Sequence, residues 1–493
     1  MLHRLNSKIR LALLISASAS LSACALFQDH DAKTNAMQDA EARVPAQWQA
    51  PLPHDGKIAD LKRWWDQFDD PLLSELVAAG EAVNPNLSSA RSRIAQARAT
   101  SVQSGASLLP KLDAAASRTR GQQDIRFPSG TSTQTGLNAS WEIDLFGANS
   151  AASDAADLRF AGARADWHVA RVSVAAEVAN TYIGYRACEA QLAQTQIDAT
   201  SRKETARLTD INAEAGFESP ANAALTRASA AQGNSLLVQQ RAQCDLQIKA
   251  LVALTAIDEP TLRQKLTSAN VGHIPQPAQI NVTEVPGSAL AQRPDIYSAA
   301  QSVLAANADV DNLRAQRLPK ISLAGNISHA TFETSQGSTS GRVWTIGPLQ
   351  ITLPIFDGGT RRANVDAGRA RYDDAAIQYA AKIRTAVREV EEALVNLQST
   401  GERAIDAQTA VDGFAASFKG VEARQKNGMA NIFELEDARR SLATAQTALV
   451  NLQRDRVTAW VSLYRALGGG WDVSEANNDV PAQTGVTTPT AKN

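Results

Sequence analysis

Two periods alternate along this chain. No proline interrupts the sequence from Ala148 to Ala215, and none occurs after the Pro354 junction until Pro481; both stretches carry helical patterning. At ~1.5 Å per residue the first could form about 100 Å of helix. Ahead of each long stretch the period drops to two. Leu137, Ala139, Trp141, Ile143 and Leu145 point one way, and Asn138, Ser140, Glu142 and Asp144 the other. Ile321, Leu323, Gly325 and Ile327 alternate with Ser322, Ala324, Asn326 and Ser328, and Leu349, Ile351, Leu353 and Ile355 alternate with Gln350 and Thr352. Such alternation predicts strands with one apolar and one polar face. Residues 111–120 alternate more weakly, through Leu112, Ala114 and Ala116. Gly121, Pro128, Ser129 and Gly130 suit a long hairpin loop, and the Ser/Thr/Gly-rich run Thr334 to Gly341 suits a second exposed tip. Strand passes into helix at Phe146-Gly147 and at Phe356-Asp357-Gly358-Gly359, where glycine permits the turn.

The pattern repeats. Asn84-Pro85-Asn86-Leu87 returns as Arg293-Pro294-Asp295-Ile296, and Leu109-Pro110-Lys111-Leu112 as Leu318-Pro319-Lys320-Ile321, both 209 residues later. Phe146 answers to Phe356, Gly216 to Gly428 and Leu254 to Leu467, with the offset drifting to 213. Ordered anchors over this length indicate duplication. The expected layout is a signal peptide over 1–23, a polar tether over 24–60 and a first repeat over 61–260, with strands at about 111–146 and a helical hairpin at about 148–257. A proline-rich link follows over 261–286. The second repeat spans 287–471, with strands at about 320–356 and helices at about 360–467, and a disordered tail occupies 472–493. Ser219 and Pro220 suit the cap and first turn of the returning helix of the first hairpin.

The N-terminus has basic His3, Arg4, Lys8 and Arg10 before the short apolar run Leu11-Ala12-Leu13-Leu14-Ile15, which marks a secretory signal. It ends at Leu21-Ser22-Ala23-Cys24, similar to a bacterial lipobox in which Cys24 is acylated and becomes the first mature residue; Ala25, not Asp, follows it and favours the outer membrane. No later run offers the roughly 20 apolar residues of a spanning helix. A membrane crossing would therefore have to be made of strands. Lys plus Arg number 49 and Asp plus Glu 51, so there is no basic excess for a nucleic acid. The six histidines are scattered, and no phosphate loop, zinc motif or nucleophile elbow occurs, so nothing points to an enzyme or a cofactor. Four strands cannot close a barrel, and long amphipathic helices need neighbours for their seams. Oligomerisation meets both needs; a trimer would give twelve strands.

The chain resembles the TolC-type outer-membrane factors, in the lipoprotein branch with NodT and OprM-like efflux channels. The resemblance rests on Trp64-Trp65 with Asp69-Asp70-Pro71, Asn84-Pro85-Asn86-Leu87, Trp141-Glu142-Ile143-Asp144-Leu145-Phe146-Gly147, Arg293-Pro294-Asp295-Ile296, Leu318-Pro319-Lys320-Ile321-Ser322-Leu323 and Pro354-Ile355-Phe356-Asp357-Gly358-Gly359, over roughly residues 61–471. It implies a mixed, mainly α fold, built from a duplicated unit of two strands plus long helical hairpins. It further implies a homotrimer with a twelve-stranded outer-membrane barrel continuous with a periplasmic helical barrel. Implied partners are a periplasmic adaptor and an inner-membrane transporter, beside outer-membrane lipid through acylated Cys24. The role would be an export duct for drugs or small solutes. A duct for type I protein secretion is the nearest alternative. A lipid-anchored adaptor or structural coiled coil is a different class, disfavoured because it has no use for apolar strand faces.

Several residues carry the site-level expectations. Cys188 and Cys244 stand 28 residues before and after Gly216, level with each other in an antiparallel hairpin, as a disulfide or as two buried thiols. Glu434 and Asp437 lie one turn apart and match positions that form an acidic ring at the periplasmic entrance of TolC-like channels; Asn431 with Glu434 also reads as a capping box. The first repeat has Asn222 and Leu225 at the matching places, so such a ring would come from the second repeat alone. The tips Gly216, Phe217, Ser219 and Pro220, and Gly428, Met429, Ala430 and Asn431, are the expected adaptor contacts.

Overall fold

A computed structural model describes residues 31–50, 61–122, 129–268, 271–277 and 290–472. The helices are α1 (Asp31–Ala42), α2 (Pro71–Val83), α3 (Pro85–Ala106), α4 (Ala148–Glu214), α5 (Pro220–Thr255), α6 (Glu259–Ser268), α7 (Pro294–Ala315), α8 (Thr360–Lys426) and α9 (Ile432–Ala466). A 3-10 helix covers Leu61–Phe68. The strands are β1 (Lys111–Gly121), β2 (Gly130–Ile143), β3 (Lys320–Thr334) and β4 (Gly337–Thr352). The chain divides into two compact units. One comprises Met1–Val44, Arg93–Ala163 and Tyr297–Ile383, and the other Pro45–Ser92, Arg164–Ile296 and Arg384–Asn493.

The first unit holds one antiparallel sheet in the order β1-β2-β3-β4. Its central pairing joins the two repeats, with Leu137 opposite Ile327 and Trp141 opposite Leu323. The outer edges of β1 and β4 have no partner strand among the described residues. Beneath the sheet, Asn312 on α7 donates to the carbonyl of Ala148 at 2.6 Å, and Ser101 on α3 hydrogen-bonds Asp157 on α4.

The second unit is helical with a conventional core. Trp64, Leu73, Leu76, Leu87, Tyr182, Ile183, Leu251, Leu262 and Leu266 are all fully enclosed. Helix starts follow local chemistry. Asp70 accepts from the backbone N–H groups of Leu72 and Leu73, with Pro71 in the first turn of α2. The other Asp70 oxygen accepts from the Tyr182 hydroxyl at 2.6 Å, and that hydroxyl in turn accepts from buried Arg186. A helix cap is thereby tied into the core, which accounts for the Asp69-Asp70-Pro71 run.

Several details depart from the sequence expectation. The expected tip from Thr334 to Gly341 is almost all strand: pairing runs from Lys320↔Thr352 to Thr334↔Gly337. Ladder hydrogen bonds from β3 outweigh the loop-like composition. β4 ends at Thr352, so Leu353 and Ile355 continue its apolar character beyond the strand itself. The tether contains α1, and it is held down: the Tyr379 hydroxyl donates to Glu41 at 2.7 Å. In the second unit the Glu391 carboxylate accepts from the backbone N–H groups of Gln49 and Ala50 at 2.7 and 2.9 Å, beside buried Trp48. The stretch between the repeats contains α6, whose Leu262 and Leu266 are enclosed. Cys24 and the tail beyond residue 472 lie outside the described residues.

Candidate functional site: an inverted sheet and two helical tips

The sheet leaves its apolar rows uncovered, and β1 and almost all of β4 are exposed on both faces. Rows set by the register place Ile143, Ile321 and Ile351 together, then Trp141, Leu323 and Leu349, then Leu112, Ala139, Gly325 and Ile346, then Ala114, Leu137, Ile327 and Trp344. Exposure is greatest on β4, where Ile346 is 80% and Trp344 68% exposed, against 36% for Trp141. A register shift between Leu323 and Gly325 falls where β4 carries Gly347-Pro348, and the same face is kept on either side of it. The opposite face carries Asp113, Asn138, Ser140, Asn326, Ser328 and Gln134, and there Gln134 donates to Ser328, which is only 6% exposed. In water this arrangement forfeits apolar burial; in lipid it is the favoured one.

Both strand-to-helix joints use the same device. Asp144 accepts from the N–H of Ser150 at 2.7 Å before α4, next to Gly147 at φ 74°. Asp357 accepts from the N–H groups of Gly359 and Arg361 at 3.0 and 3.1 Å before α8, with Gly358 and Gly359 at φ 65° and 91°. These backbone bonds, first that of Arg361, hold the Asp357 carboxyl below the usual carboxylate range. Phe146 is half-buried, while Phe356 is 92% exposed.

The two hairpin tips are built alike. Gly216 (φ 80°) and Gly428 (φ 72°) end α4 and α8, and the next N–H groups, of Phe217 and Met429, reach back to Asn212 and Arg424 at 2.8 Å each. Ser219 then caps α5 by accepting from Asn222, with Pro220 following, and Asn431 caps α9 by accepting from Glu434. Phe217, Met429 and Phe433 are exposed, and Ala430 is half-buried. The Glu434 side chain does not return to Asn431; it pairs with Arg424 at 2.7 Å. Asp437 is exposed and makes no ion pair among the described residues. Cys188 on α4 and Cys244 on α5 are joined by a disulfide, with Cα atoms 5.5 Å apart.

One cluster was not anticipated. Glu436 accepts from Arg202 at 3.1 Å, from the Ser229 hydroxyl at 2.6 Å and from Arg439. Arg202 also binds Asp198 at 2.7 Å, and Arg439 donates to Ser201 and Thr205 at 3.1 Å each. Side-chain exposures are 12% for Arg202 and Glu436 and 4% for Arg439. The cluster knits α4, α5 and α9 together. Gly233 makes room for it: a Cβ there would stand 2.7 Å from the Arg202 Cδ. In sequence these residues look like ordinary surface pairs at helical spacing, and only the odd glycine inside α5 hints at a close approach. A groove of about 600 Å³ lies alongside, lined by Glu204, Leu208, Asn212, Glu218, Glu422 and Lys426.

Among the described residues no helix is long and apolar enough to cross a membrane, and no group of side chains has a metal-binding arrangement. The molecule is thus a mainly helical protein whose small antiparallel sheet offers an apolar face outward. The chain matches the outer membrane efflux protein family over residues 78–256 and 285–469, and it belongs to that family. It is 31% identical over 474 residues to the solvent efflux pump outer membrane protein SrpC of Pseudomonas putida, covering 92% of this chain and 97% of that one. It is also 31% identical over 474 residues to the outer membrane protein OprJ of Pseudomonas aeruginosa, covering 94% and 95%. The structure superposes on the Campylobacter jejuni CmeC outer membrane channel with a TM-score of 0.74 at 25% identity, covering 85% of this chain and 91% of that one. The chain is accordingly an outer-membrane protein of a transport family, OprM- and NodT-like in kind.

Proposed function

We propose that three copies of the chain form the outer-membrane duct of a tripartite efflux pump, a passive path from a periplasmic adaptor and an inner-membrane transporter to the exterior. The observation that carries this is the sheet with uncovered apolar rows and two open edges. In lipid, unpaired strand edges are not tolerated, so β1 of one copy must pair with β4 of the next. Three such sheets make an even, twelve-stranded barrel with the Asn- and Ser-rich faces inside. The apolar rows from Ile351 to Trp344 then cover about 18 Å of membrane, at ~3.3 Å per residue and a strand tilt near 40°, and exposed Leu353 and Ile355 extend the apolar character beyond the strand. SrpC is named for a solvent efflux pump, which supports small solutes over secreted proteins as cargo. Acylated Cys24 anchors the N-terminus, and Glu434 and Asp437 narrow the periplasmic entrance, where three copies of Asp437 favour cations. The tips around Phe217 and Met429 are the adaptor contacts.

The test is to purify the full chain in detergent, measure its mass and its heat sensitivity on gels, and record it in planar bilayers. A heat-labile trimer with cation-preferring conductance is expected. A non-conducting monomer overturns the proposal.

A further inference from the structure

The charges of the sheet are sorted by face and by end. Near the helices every charged residue is on the polar face: Lys111, Asp113, Glu142 and Lys320, paired as Lys111–Asp113 and Lys320–Glu142. At the hairpin end the sorting reverses. The row after Trp344 on the apolar face is Ala116, Thr135, His329 and Arg342, and the next rows add Arg118 and Arg120. Among the described residues only Glu333 opposes them there, 4.0 Å from Arg118. The polar face at these levels, from Ser117 and Thr119 through Gln134 and Ser132 to Thr339, has no charge at all. All four basic side chains are exposed.

A basic group that served the passing solute would face the polar side. These face the other way, directly beyond the aromatic end of the apolar band. Resting on the reading that this band lies in lipid, we infer that Arg118, Arg120, Arg342 and His329 form an outward basic rim that binds the phosphate groups of outer-leaflet lipid. The first basic row lies about 7 Å along the strand from Trp344, the distance from acyl chains to headgroups. Arginine suits the role because its planar fork meets phosphate oxygens two at a time, and its stem lies along apolar surface. In a trimer the rim repeats three times around the outside of the barrel.

The full chain is purified in detergent, and binding of bisphosphorylated lipid A and its dephosphorylated form is followed by native mass spectrometry. The wild type should prefer the phosphorylated form, with the preference falling as salt rises. The triple variant Arg118→Gln, Arg120→Gln, Arg342→Gln should lose it, by at least about tenfold in affinity. The corresponding triple lysine variant should keep most of it, which guards against a folding defect. Added inorganic phosphate should compete only weakly, since the lipid is held by its chains as well. Equal preference in wild type and glutamine variant, or no preference in the wild type, overturns the inference. In parallel, quenching by brominated acyl chains is compared between wild type and Trp344→Phe. Absent Trp344 quenching overturns the membrane placement of the sheet and the rim with it. Quenching without phosphate preference overturns the rim alone.

Discussion

Replacing Glu436 with alanine should loosen the packing of α4, α5 and α9 far more than a change at an exposed acid. Glu436 accepts hydrogen bonds from both Arg202 and Arg439, and it also accepts from Ser229. Without it two guanidinium groups share the single carboxylate of Asp198, which reaches Arg439 only at 3.8 Å, too far for a hydrogen bond. Burial already pushes the Arg439 guanidinium down, and Glu436 is the largest charge opposing that push. Removing one partner of a buried pair costs about 3–5 kcal/mol because the other charge stays enclosed. The lower end applies here, since Arg202 and Glu436 keep some contact with water. Glu436→Gln keeps an acceptor and should cost about half as much. Glu436→Ala combined with Arg439→Ala leaves the Arg202–Asp198 pair balanced, so the double variant should cost less than the two single changes added, by at least about 1 kcal/mol. Hydrogen exchange of the full chain reads this directly: amides at 198–205 and 435–442 should exchange about a hundredfold faster in Glu436→Ala. A change under tenfold, or a double variant at the full sum of its singles, refutes the reasoning.

Other outcomes follow from single groups. Tyr464 is enclosed, and its hydroxyl is pushed up to about 12, chiefly by burial. Because the unfolded phenol ionises first, stability is complete below pH ~10 and declines as pH rises towards 12; Tyr464→Phe should flatten that decline in an unfolding series across alkaline pH. Neutralising Asp437 to Asn should raise conductance and weaken cation preference in bilayers, whereas Glu434→Gln should do less, because Arg424 already offsets Glu434. Unchanged selectivity in Asp437→Asn would remove that residue from the entrance.

Much of the architecture was legible because it rests on period and punctuation. The proline-free run from Ala148 fits a helix of 67 residues, and the alternation around Trp141 marks a two-faced strand whichever face meets water. Gly216 and Gly428 advertised their turns through spacing alone. The β3–β4 tip falls where the Ser-, Thr- and Gly-rich run places it, but its loop is shorter than that composition suggests, because a partner strand extends the ladder to Thr334↔Gly337. α1 was hidden for a related reason: its attachment depends on Glu41 meeting Tyr379, a contact across 338 residues that no local pattern encodes. The Glu436 cluster was invisible because Asp198 with Arg202, and Glu436 with Arg439, look like solvated helix pairs until three helices close over them.

The duplication makes two hairpins of the same form and then secures them differently. The first carries the Cys188–Cys244 disulfide; the positions 212 residues on are Thr400 and Arg456, which cannot form one. The second hairpin depends on non-covalent ties such as the Arg424–Glu434 ion pair between α8 and α9. Loss of the disulfide should therefore act on one hairpin only. Closing a loop across a separation of 56 residues limits the unfolded chain by about 4 kcal/mol on the entropy model. Cys188→Ser with Cys244→Ser should lower thermal stability accordingly and speed hydrogen exchange in α4 and α5. Exchange in α8 should stay as it was. Faster exchange in both hairpins alike would mean that the staple supports the assembly as a whole, and the asymmetry argued from its position would be wrong.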